Sequence, residues 1–223
     1  MTEPTLQNTA NCSLQALISP NYDVVSNDNI PPLQLGIMAS GSGTNFAAVV
    51  EAIANKKLNA QIKVLIYNNP EAKAKLKAEK YRIPAVLIDH REYNTREDLD
   101  RQIVSTMQYH GVDLVIMAGW MRVVTRVLLD SFPQRVINIH PSLLPSFKGI
   151  RAVEQALKAK VKITGCTVHF VSLAVDSGEI IMQAAVPILP DDTPETLHQR
   201  IQIQEHHILP EAIAIVGNRQ SKE

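Results

Sequence analysis

From Leu33 onward, apolar runs of strand length alternate with longer segments of helical period, and this alternation constrains the fold more than any other feature. It is typical of βαβ units, and several runs are apolar at consecutive positions, as in strands covered on both sheet faces. The predicted strands are Leu33–Ala39, Ile62–Tyr67, Ala85–Ile88, Leu114–Ala118 and Val136–Ile139. The sequence therefore predicts an α/β protein with a doubly wound, mostly parallel sheet.

Helices are expected between these strands. Asn45 is a candidate N-cap for a helix over Phe46–Ala54, and helix formers or four-residue apolar spacing predict helices over Glu71–Lys80 and Thr95–Tyr109. After Gly165 the pattern changes. Two strands, Val168–Val171 and Ile180–Pro187, are predicted to form a hairpin-like pair through a turn at 176–178, followed by a closing helix over about residues 193–216.

The amino-terminal segment differs from the rest of the chain. Residues 1–32 are rich in Asn, Ser and Thr without a sustained period, and they end in Ile30-Pro31-Pro32, which cannot enter a helix interior or a central strand. We therefore predict a flexible extension over residues 1–32. The remaining residues, 33–223, fit one domain, and 45% hydrophobic residues supply enough apolar surface for a core.

Charge and cysteine content limit the partners and the compartment. Lys plus Arg and Asp plus Glu each number 22, so no overall field attracts nucleic acid or an anionic membrane. The longest nearly uncharged apolar run, Val112–Trp120, is far shorter than the roughly 20 residues of a membrane helix. The first basic residue is Lys56, and the cysteines are Cys12 and Cys166. We expect a cytoplasmic protein without nucleic-acid or membrane partners.

A glycine-rich segment, residues 40–45, joins the first predicted strand to the first helix. Such a turn presents backbone N–H groups to an anion at the positive end of a helix dipole. A dinucleotide fingerprint would need glycine at Phe46, and a Walker loop would need lysine at Ser42. The segment favours one phosphate of a small substrate; the alternative is that its glycines only form a tight turn.

Asn138 and His140 form the most specific polar pair. Side chains two apart on a strand face the same way, and Pro141 keeps His140 extended. An amide can hold a developing oxyanion while an imidazole transfers a proton, and parallel sheets place their sites where strands end. The pair therefore indicates acyl transfer, although an isolated histidine is more often structural.

Asp176 is the best candidate partner for His140, because a nearby carboxylate would orient the imidazole and favour its charged form. The alternative is that Asp176 only makes a turn. His169 is predicted to be structural. His206 and His207 lack the spacing of a metal site, and we predict no metal ligand in this chain.

Four segments together resemble the glycinamide ribonucleotide formyltransferases of purine synthesis, over about residues 33–216. They are Ser40-Gly41-Ser42-Gly43-Thr44-Asn45, Ala118-Gly119-Trp120-Met121-Arg122, Asn138-Ile139-His140-Pro141-Ser142-Leu143-Leu144-Pro145 and Gly165-Cys166-Thr167-Val168-His169-Phe170-Val171. The resemblance implies a Rossmann-like formyltransferase fold. It also implies formyl transfer from 10-formyltetrahydrofolate, the co-substrate, to the amine of 5-phosphoribosylglycinamide without a metal.

The resemblance also assigns site residues. Asn138, His140 and Asp176 match the family's catalytic trio. The residues matching the phosphoribosylglycinamide site are Gly43, Thr44, Asn45 and Glu205. Those matching the folate site are Arg96, Met121, Arg122, Val123, Val124 and Asn138. We expect small-molecule substrates and a monomer or weak homodimer.

The sequence departs from the family pattern at three places. Ser177 stands where a second glycine is common in the family, and Trp120 replaces a frequent phenylalanine. The segment 158–162, before Gly165, is short and basic. Rival enzymes with the same trio are formyltetrahydrofolate deformylase and methionyl-tRNA formyltransferase, which the chain length disfavours because each needs a further domain. A catalytically silent folate- or phosphate-binding module is the alternative from another class.

Overall fold

An eight-stranded sheet with helices on both faces is formed by residues 17–21 and 31–220, the part of the chain that the computed structural model describes. The strands are β1 (Leu17–Ser19), β2 (Leu33–Ala39), β3 (Ala60–Tyr67), β4 (Ala85–Leu87), β5 (Leu114–Met117), β6 (Val136–His140), β7 (Ile163–Phe170) and β8 (Ile180–Pro187). The helices are α1 (Thr44–Ala54), α2 (Ala74–Tyr81), α3 (Arg96–Tyr109), α4 (Arg126–Ser131), α5 (Ala152–Lys158) and α6 (Pro194–Gln220), with a 3-10 turn at His90–Glu92.

The strand order is β1-β8-β7-β6-β5-β2-β3-β4. Neighbouring strands from β6 to β4 are parallel, whereas β7, β8 and β1 join through antiparallel pairs. The chain leaves β2 toward β4 on one side and later places β5 and β6 on the other side, so the order reverses between β2 and β5. This topology confirms the predicted doubly wound, mostly parallel sheet.

Each face of the sheet buries its own apolar core. Within β2, Ile37 belongs to the core that includes α1 and α6, whereas Met38 belongs to the core that includes α3 and α4. Both side chains are fully buried. Because neighbouring residues of the strand are apolar and point to opposite faces, the consecutive apolar run reflects burial on both sides.

The predicted element bounds agree best with the structure for strands inside the sheet. β2 and β8 have the predicted bounds, and β7 and β8 form the expected antiparallel pair. The predicted N-cap of α1 is wrong: Gly43 occupies that position, and Asn45 is the second helical residue. The short helices α4 and α5 were not predicted.

The predicted flexible extension over residues 1–32 is wrong for Leu17–Ser19. These residues form β1, which pairs antiparallel with β8, so that Leu17 faces Ala185 and Ser19 faces Gln183. The backbone hydrogen bonds of β1 are made with β8, more than 160 positions away along the chain. The periodicity of the local sequence does not reveal such a distant partner. Residues 1–16 and 22–30 lie outside the described residues. Within the described ranges, none of the helices has the length and apolarity to cross a membrane.

Candidate active site

A cleft of about 660 Å³ opens at the carboxyl ends of β2, β5 and β6. It is lined by residues 40–45, 117–124, 138–141 and 149–154, by parts of the β7–β8 connection, and by His198, Gln202 and Glu205 of α6. This position is the point where the strand order reverses, and open α/β sheets bind ligands there. The fold therefore brings most of the predicted site residues to one place.

The glycine-rich loop has the geometry of an anion site. Gly43 has a left-handed φ of 66° at the N-cap of α1, and this residue makes no side-chain cap to the N–H groups of the first turn. A Cβ at Gly43 would lie 2.7 Å from the Cβ of Ala74, so both the backbone angle and the packing require glycine. The Ala74 N–H donates to the Gly41 carbonyl oxygen over 3.1 Å, which fixes the loop against α2.

Glu205 is buried beside this loop. Asn45 Nδ2 donates to Glu205 Oε2 over 2.9 Å, and the Oδ1 atom of Asn45 is buried without a hydrogen-bond partner among the described residues. Burial raises the pKa of the Glu205 carboxyl, while the Asn45 hydrogen bond and the nearby His198 oppose that rise. A half-buried hydrogen bond from Gln202 Nε2 to Thr44 Oγ1, 3.0 Å long, ties the same two helices together.

His140 is held at both ring nitrogens. Nδ1 lies 3.3 Å from Asp176 Oδ2, and Nε2 lies 2.8 Å from the carbonyl oxygen of Phe147. A carbonyl oxygen only accepts hydrogen bonds, so Nε2 carries a hydrogen and donates it. The Phe147 carbonyl therefore fixes the orientation of the His140 ring, and Nδ1 is the nitrogen that faces Asp176.

Asp176 is close to two imidazoles and one backbone donor. The Gly149 N–H donates to its Oδ2 over 2.8 Å, and its side chain is 11% exposed. Burial alone would raise the pKa of Asp176, but the nearby His169, the Gly149 hydrogen bond and His140 together hold that pKa below its usual value. Asp176 is therefore a carboxylate at neutral pH.

His169, which the sequence predicts to be structural, lies beside this group. It lies directly opposite Asn138 in the antiparallel β6–β7 pair, and its Nε2 is 3.2 Å from Asn138 Nδ2. His169 Nδ1 lies 2.8 Å from the Phe170 carbonyl oxygen and donates to it, so in the neutral ring Nε2 accepts from the Asn138 amide. This contact orients Asn138 and leaves its second amide hydrogen for another acceptor.

The predicted folate residues are divided between the cleft and its surroundings. Met121, Arg122, Val123 and Val124 line the cleft, whereas Arg96, the exposed first residue of α3, does not. The Nε atom of Arg122 is buried without a hydrogen-bond partner in the described part of the chain.

Exposed apolar side chains surround the cleft opening. Met121 is 75% exposed and Ile150 is 80% exposed, and both line the cleft. Val123, Leu173 and Val175 are also exposed and line it. Such a group of apolar side chains is suited to a flat aromatic ligand. Among the described residues, no group of three or more His, Cys, Asp or Glu could hold a metal ion.

Sequence reasoning missed two contributors to this geometry. One is the Phe147 carbonyl, a backbone group with a left-handed φ of 54° that no side-chain pattern identifies. The other is His169, for which a signal existed. The alternation of β7 places His169 on one face, and only the pairing of β7 with β6 shows that this face carries Asn138.

The model of the formyl transferase family matches residues 34–213, most of the chain. The chain belongs to the formyl transferase family. One relative is the phosphoribosylglycinamide formyltransferase of Bacillus subtilis (strain 168). It is 39% identical to this chain over 180 residues, which cover 81% of this chain and 92% of the relative.

Other family members show the same likeness. The human trifunctional purine biosynthetic protein adenosine-3 is 40% identical over 185 residues, and the match spans 83% of this chain but only 18% of that relative. The crystal structure of glycinamide ribonucleotide transformylase 1 from Symbiobacterium toebii has a TM-score of 0.83 at 42% identity, covering 84% of this chain and 89% of that chain.

Proposed function

We propose that this protein transfers the formyl group of 10-formyltetrahydrofolate to the amine of 5-phosphoribosylglycinamide. The observation that carries the proposal is the convergence of Asn138, His140 and Asp176 in one cleft, with the His140 and Asp176 side chains 3.3 Å apart. The names of the similar proteins agree with this substrate and this reaction. The described residues fit a small-molecule reaction carried out by one domain, and we infer a cytoplasmic monomer or weak homodimer.

The phosphate of the ribonucleotide is assigned to the glycine-rich loop. Backbone N–H groups of Gly43, Thr44 and Asn45 stand at the start of α1, where the helix dipole favours a negative charge. Glu205, hydrogen-bonded to Asn45, then lies on the same wall of the cleft to receive the polar glycinamide end. This arrangement orients the substrate along the cleft toward Asn138 and His140.

The folate is assigned to the opposite wall. Met121 and Val123 offer exposed apolar surface to a fused ring, and Ser40 Oγ accepts a hydrogen bond of 2.9 Å from the Met121 N–H, which fixes that segment. Arg122 supplies a cation at the same wall. We keep Arg96 as a proposed contact for the charged tail of the folate, outside the cleft lining.

The chemistry follows from the hydrogen-bond donors. The substrate amine attacks the formyl carbon, and the carbonyl oxygen becomes an oxyanion that accepts from the second Asn138 amide hydrogen and is stabilised by the positive charge of protonated His140. Asp176 stabilises that imidazolium. The carbon–nitrogen bond to the folate then breaks, and water carries the proton from the attacking amine to the departing nitrogen, so that formylated product and tetrahydrofolate leave.

The decisive experiment compares acceptors. The protein is incubated with 10-formyltetrahydrofolate and phosphoribosylglycinamide, methionyl-tRNA or water alone, and release of tetrahydrofolate is followed. Turnover only with phosphoribosylglycinamide supports the proposal; turnover with water or methionyl-tRNA identifies a deformylase or a tRNA formyltransferase. Binding without any turnover identifies a silent module. In the active case, Asn138→Ala should lower kcat by about 100-fold or more.

A further inference from the structure

The cleft wall assigned to the folate is irregular backbone. Residues 118–125 join β5 to α4 without helix or strand, and Met121 and Val124 of this segment line the cleft. The partners of backbone N–H and C=O groups outside regular structure decide the conformation of such a segment. Its near end is tied to the end of β2, because the Ser40 N–H donates to the Gly119 carbonyl oxygen over 3.1 Å and Ser40 Oγ accepts from the Met121 N–H. The rest of the segment then depends on how its far end is held.

Asp100 of α3 holds the far end. Its Oδ2 atom accepts two hydrogen bonds from Thr125, one of 2.6 Å from the backbone N–H and one of 2.8 Å from Oγ1. Both side chains are buried, with Asp100 2% exposed and Thr125 6% exposed. Hydrogen bonds to a carboxylate in such surroundings are stronger than neutral ones. Because the Val124–Thr125 peptide unit is planar, the bond to its N–H also fixes the direction of the Val124 carbonyl in the cleft wall.

Capping of α4 does not account for a buried carboxylate at this place. The Thr125 Oγ1 atom accepts from the Val127 N–H over 3.2 Å, so threonine alone caps the helix. Burial of a carboxylate costs free energy, and here burial raises the pKa of Asp100 while the Thr125 hydrogen bonds oppose that rise. A neutral side chain would avoid this cost and leave the cap in place. What the carboxylate adds is a firm connection between α3 and the end of the cleft wall.

We propose that Asp100 is a positioning residue for folate binding, which acts through Thr125 to keep the segment 118–125 in the conformation that receives the folate ring. The inference rests on the proposed function for the identity of the ligand, but not for the link between Asp100 and the segment. Neither Asp100 nor Thr125 lines the cleft, so both act without touching a ligand.

The size of the effect follows from the population of the binding conformation. If weaker anchoring leaves about one molecule in ten with the segment in place, the apparent Kd for the folate rises about tenfold. Bound folate then selects the competent conformation, so kcat at saturating folate is kept. A positioning role of Asp100 therefore predicts a change in folate binding without a change in the chemical step.

Asp100→Asn is the main variant, because it keeps the size of the side chain and removes the charge that strengthens both hydrogen bonds. The matched control is Asp192→Asn, which makes the same change at a carboxylate that is bonded twice by Arg200 and lies outside the cleft lining. Thr125→Val removes only the hydroxyl, and Thr125→Ser retains it. The Thr125 pair decides the question if Asp100→Asn does not fold.

Two measurements need no turnover. Trp120, the one tryptophan of the sequence, belongs to the segment, lies in the same apolar core as Leu99 of α3 and is 6% exposed. Acrylamide quenching of its fluorescence therefore reports opening of the segment. Calorimetric titration with tetrahydrofolate under argon gives the Kd of the folate. Steady-state kinetics then give kcat and the KM of each substrate.

We expect Asp100→Asn to increase the quenching of Trp120 and to raise the Kd for tetrahydrofolate and the KM for 10-formyltetrahydrofolate by about tenfold. The kcat and the KM for phosphoribosylglycinamide should stay at the parental values. Thr125→Val should raise the Kd for tetrahydrofolate by about threefold, as loss of one hydrogen bond does, and Thr125→Ser should not change it. Asp192→Asn should match the parent in quenching and in the Kd for tetrahydrofolate.

A parental Kd for tetrahydrofolate in Asp100→Asn overturns the inference, as does a parental Kd in Thr125→Val where Asp100→Asn does not fold. An equal rise of that Kd in Asp192→Asn also overturns it, because the effect then follows from lower stability alone. So does a loss confined to kcat. If the parent neither binds tetrahydrofolate nor transfers a formyl group, the proposed function and the folate assignment fail. The quenching of Trp120 in Asp100→Asn still decides whether Asp100 holds the segment, since quenching equal to that of the parent overturns this link as well.

Discussion

Replacing Gly43 by alanine tests whether the glycine-rich loop depends on one special backbone position. Gly43 has a left-handed φ of 66°, and an added Cβ would lie 2.7 Å from the Ala74 Cβ and 2.8 Å from the Ala74 Cα. Gly41 in the same loop has ordinary backbone angles and open space around such a Cβ. Gly41→Ala is therefore a matched control for stability.

The two substitutions should change the free energy of unfolding by different amounts. A side chain in the left-handed region costs about 1–2 kcal/mol, and crowding against Ala74 costs about 1–3 kcal/mol more. Loss of glycine's freedom in the unfolded chain returns about 0.4–1 kcal/mol. Gly43→Ala should thus lower the free energy of unfolding by about 1–5 kcal/mol, whereas Gly41→Ala should leave it unchanged or raise it slightly.

The assay is urea unfolding followed by the fluorescence of Trp120, the one tryptophan of the sequence, together with circular dichroism. Kinetics on the folded fraction should show a higher KM for phosphoribosylglycinamide in Gly43→Ala, because the N–H groups at the start of α1 move. Equal unfolding free energies for Gly43→Ala and Gly41→Ala would refute the reasoning from the backbone angle and the Ala74 contact.

Three further substitutions test the site and its surroundings. Asp176→Asn removes the charge beside His140 and keeps the shape, so kcat should fall by about 100-fold or more while both substrates still bind; near-parental kcat would reduce Asp176 to a turn residue. Ser177→Gly removes an exposed hydrogen bond from Lys148 and should leave turnover unchanged in a kinetic assay, since exposed contacts contribute little. Asp192→Asn weakens the paired hydrogen bonds from Arg200, of 2.6 and 2.9 Å, and should cost about 2 kcal/mol in urea unfolding at pH 7. Because the Arg200 contacts hold the pKa of Asp192 below its usual value, this stability is present above about pH 4 and is lost as the pH falls further, so parent and variant should converge in acid.

The sheet could be predicted from the sequence because its central strands are covered on both faces. Consecutive apolar residues then mark each strand without reference to any other part of the chain. The helix α5 gave no comparable signal, since it begins after Arg151 in a left-handed conformation and lacks a side-chain cap. The short strand β1 depends on pairing with β8, which local pattern does not contain.

Local pattern predicted Asn138 and His140 as a pair within one strand, with Asp176 as a candidate partner from the later turn. Asn138 and His140 share a face of β6, so alternation alone placed them together. His169 and Glu205 reach the cleft through tertiary neighbours. His169 does so through the pairing of β7 with β6, and Glu205 through Asn45, 160 positions away. From local pattern Glu205 would pass as a solvated helix residue, yet it is 4% exposed.

The strand β1 has a consequence for how the molecule behaves at high concentration. A sheet edge with unpaired N–H and C=O groups is a template for strands of other molecules, which leads to edge-to-edge association. At the β8 edge, Leu17–Ser19 occupy the positions opposite Gln183–Ala185. Proteolytic nicking that removes the first 21 residues would uncover this backbone. The trimmed protein should then self-associate as its concentration rises, while the intact chain shields that edge with its own amino-terminal segment.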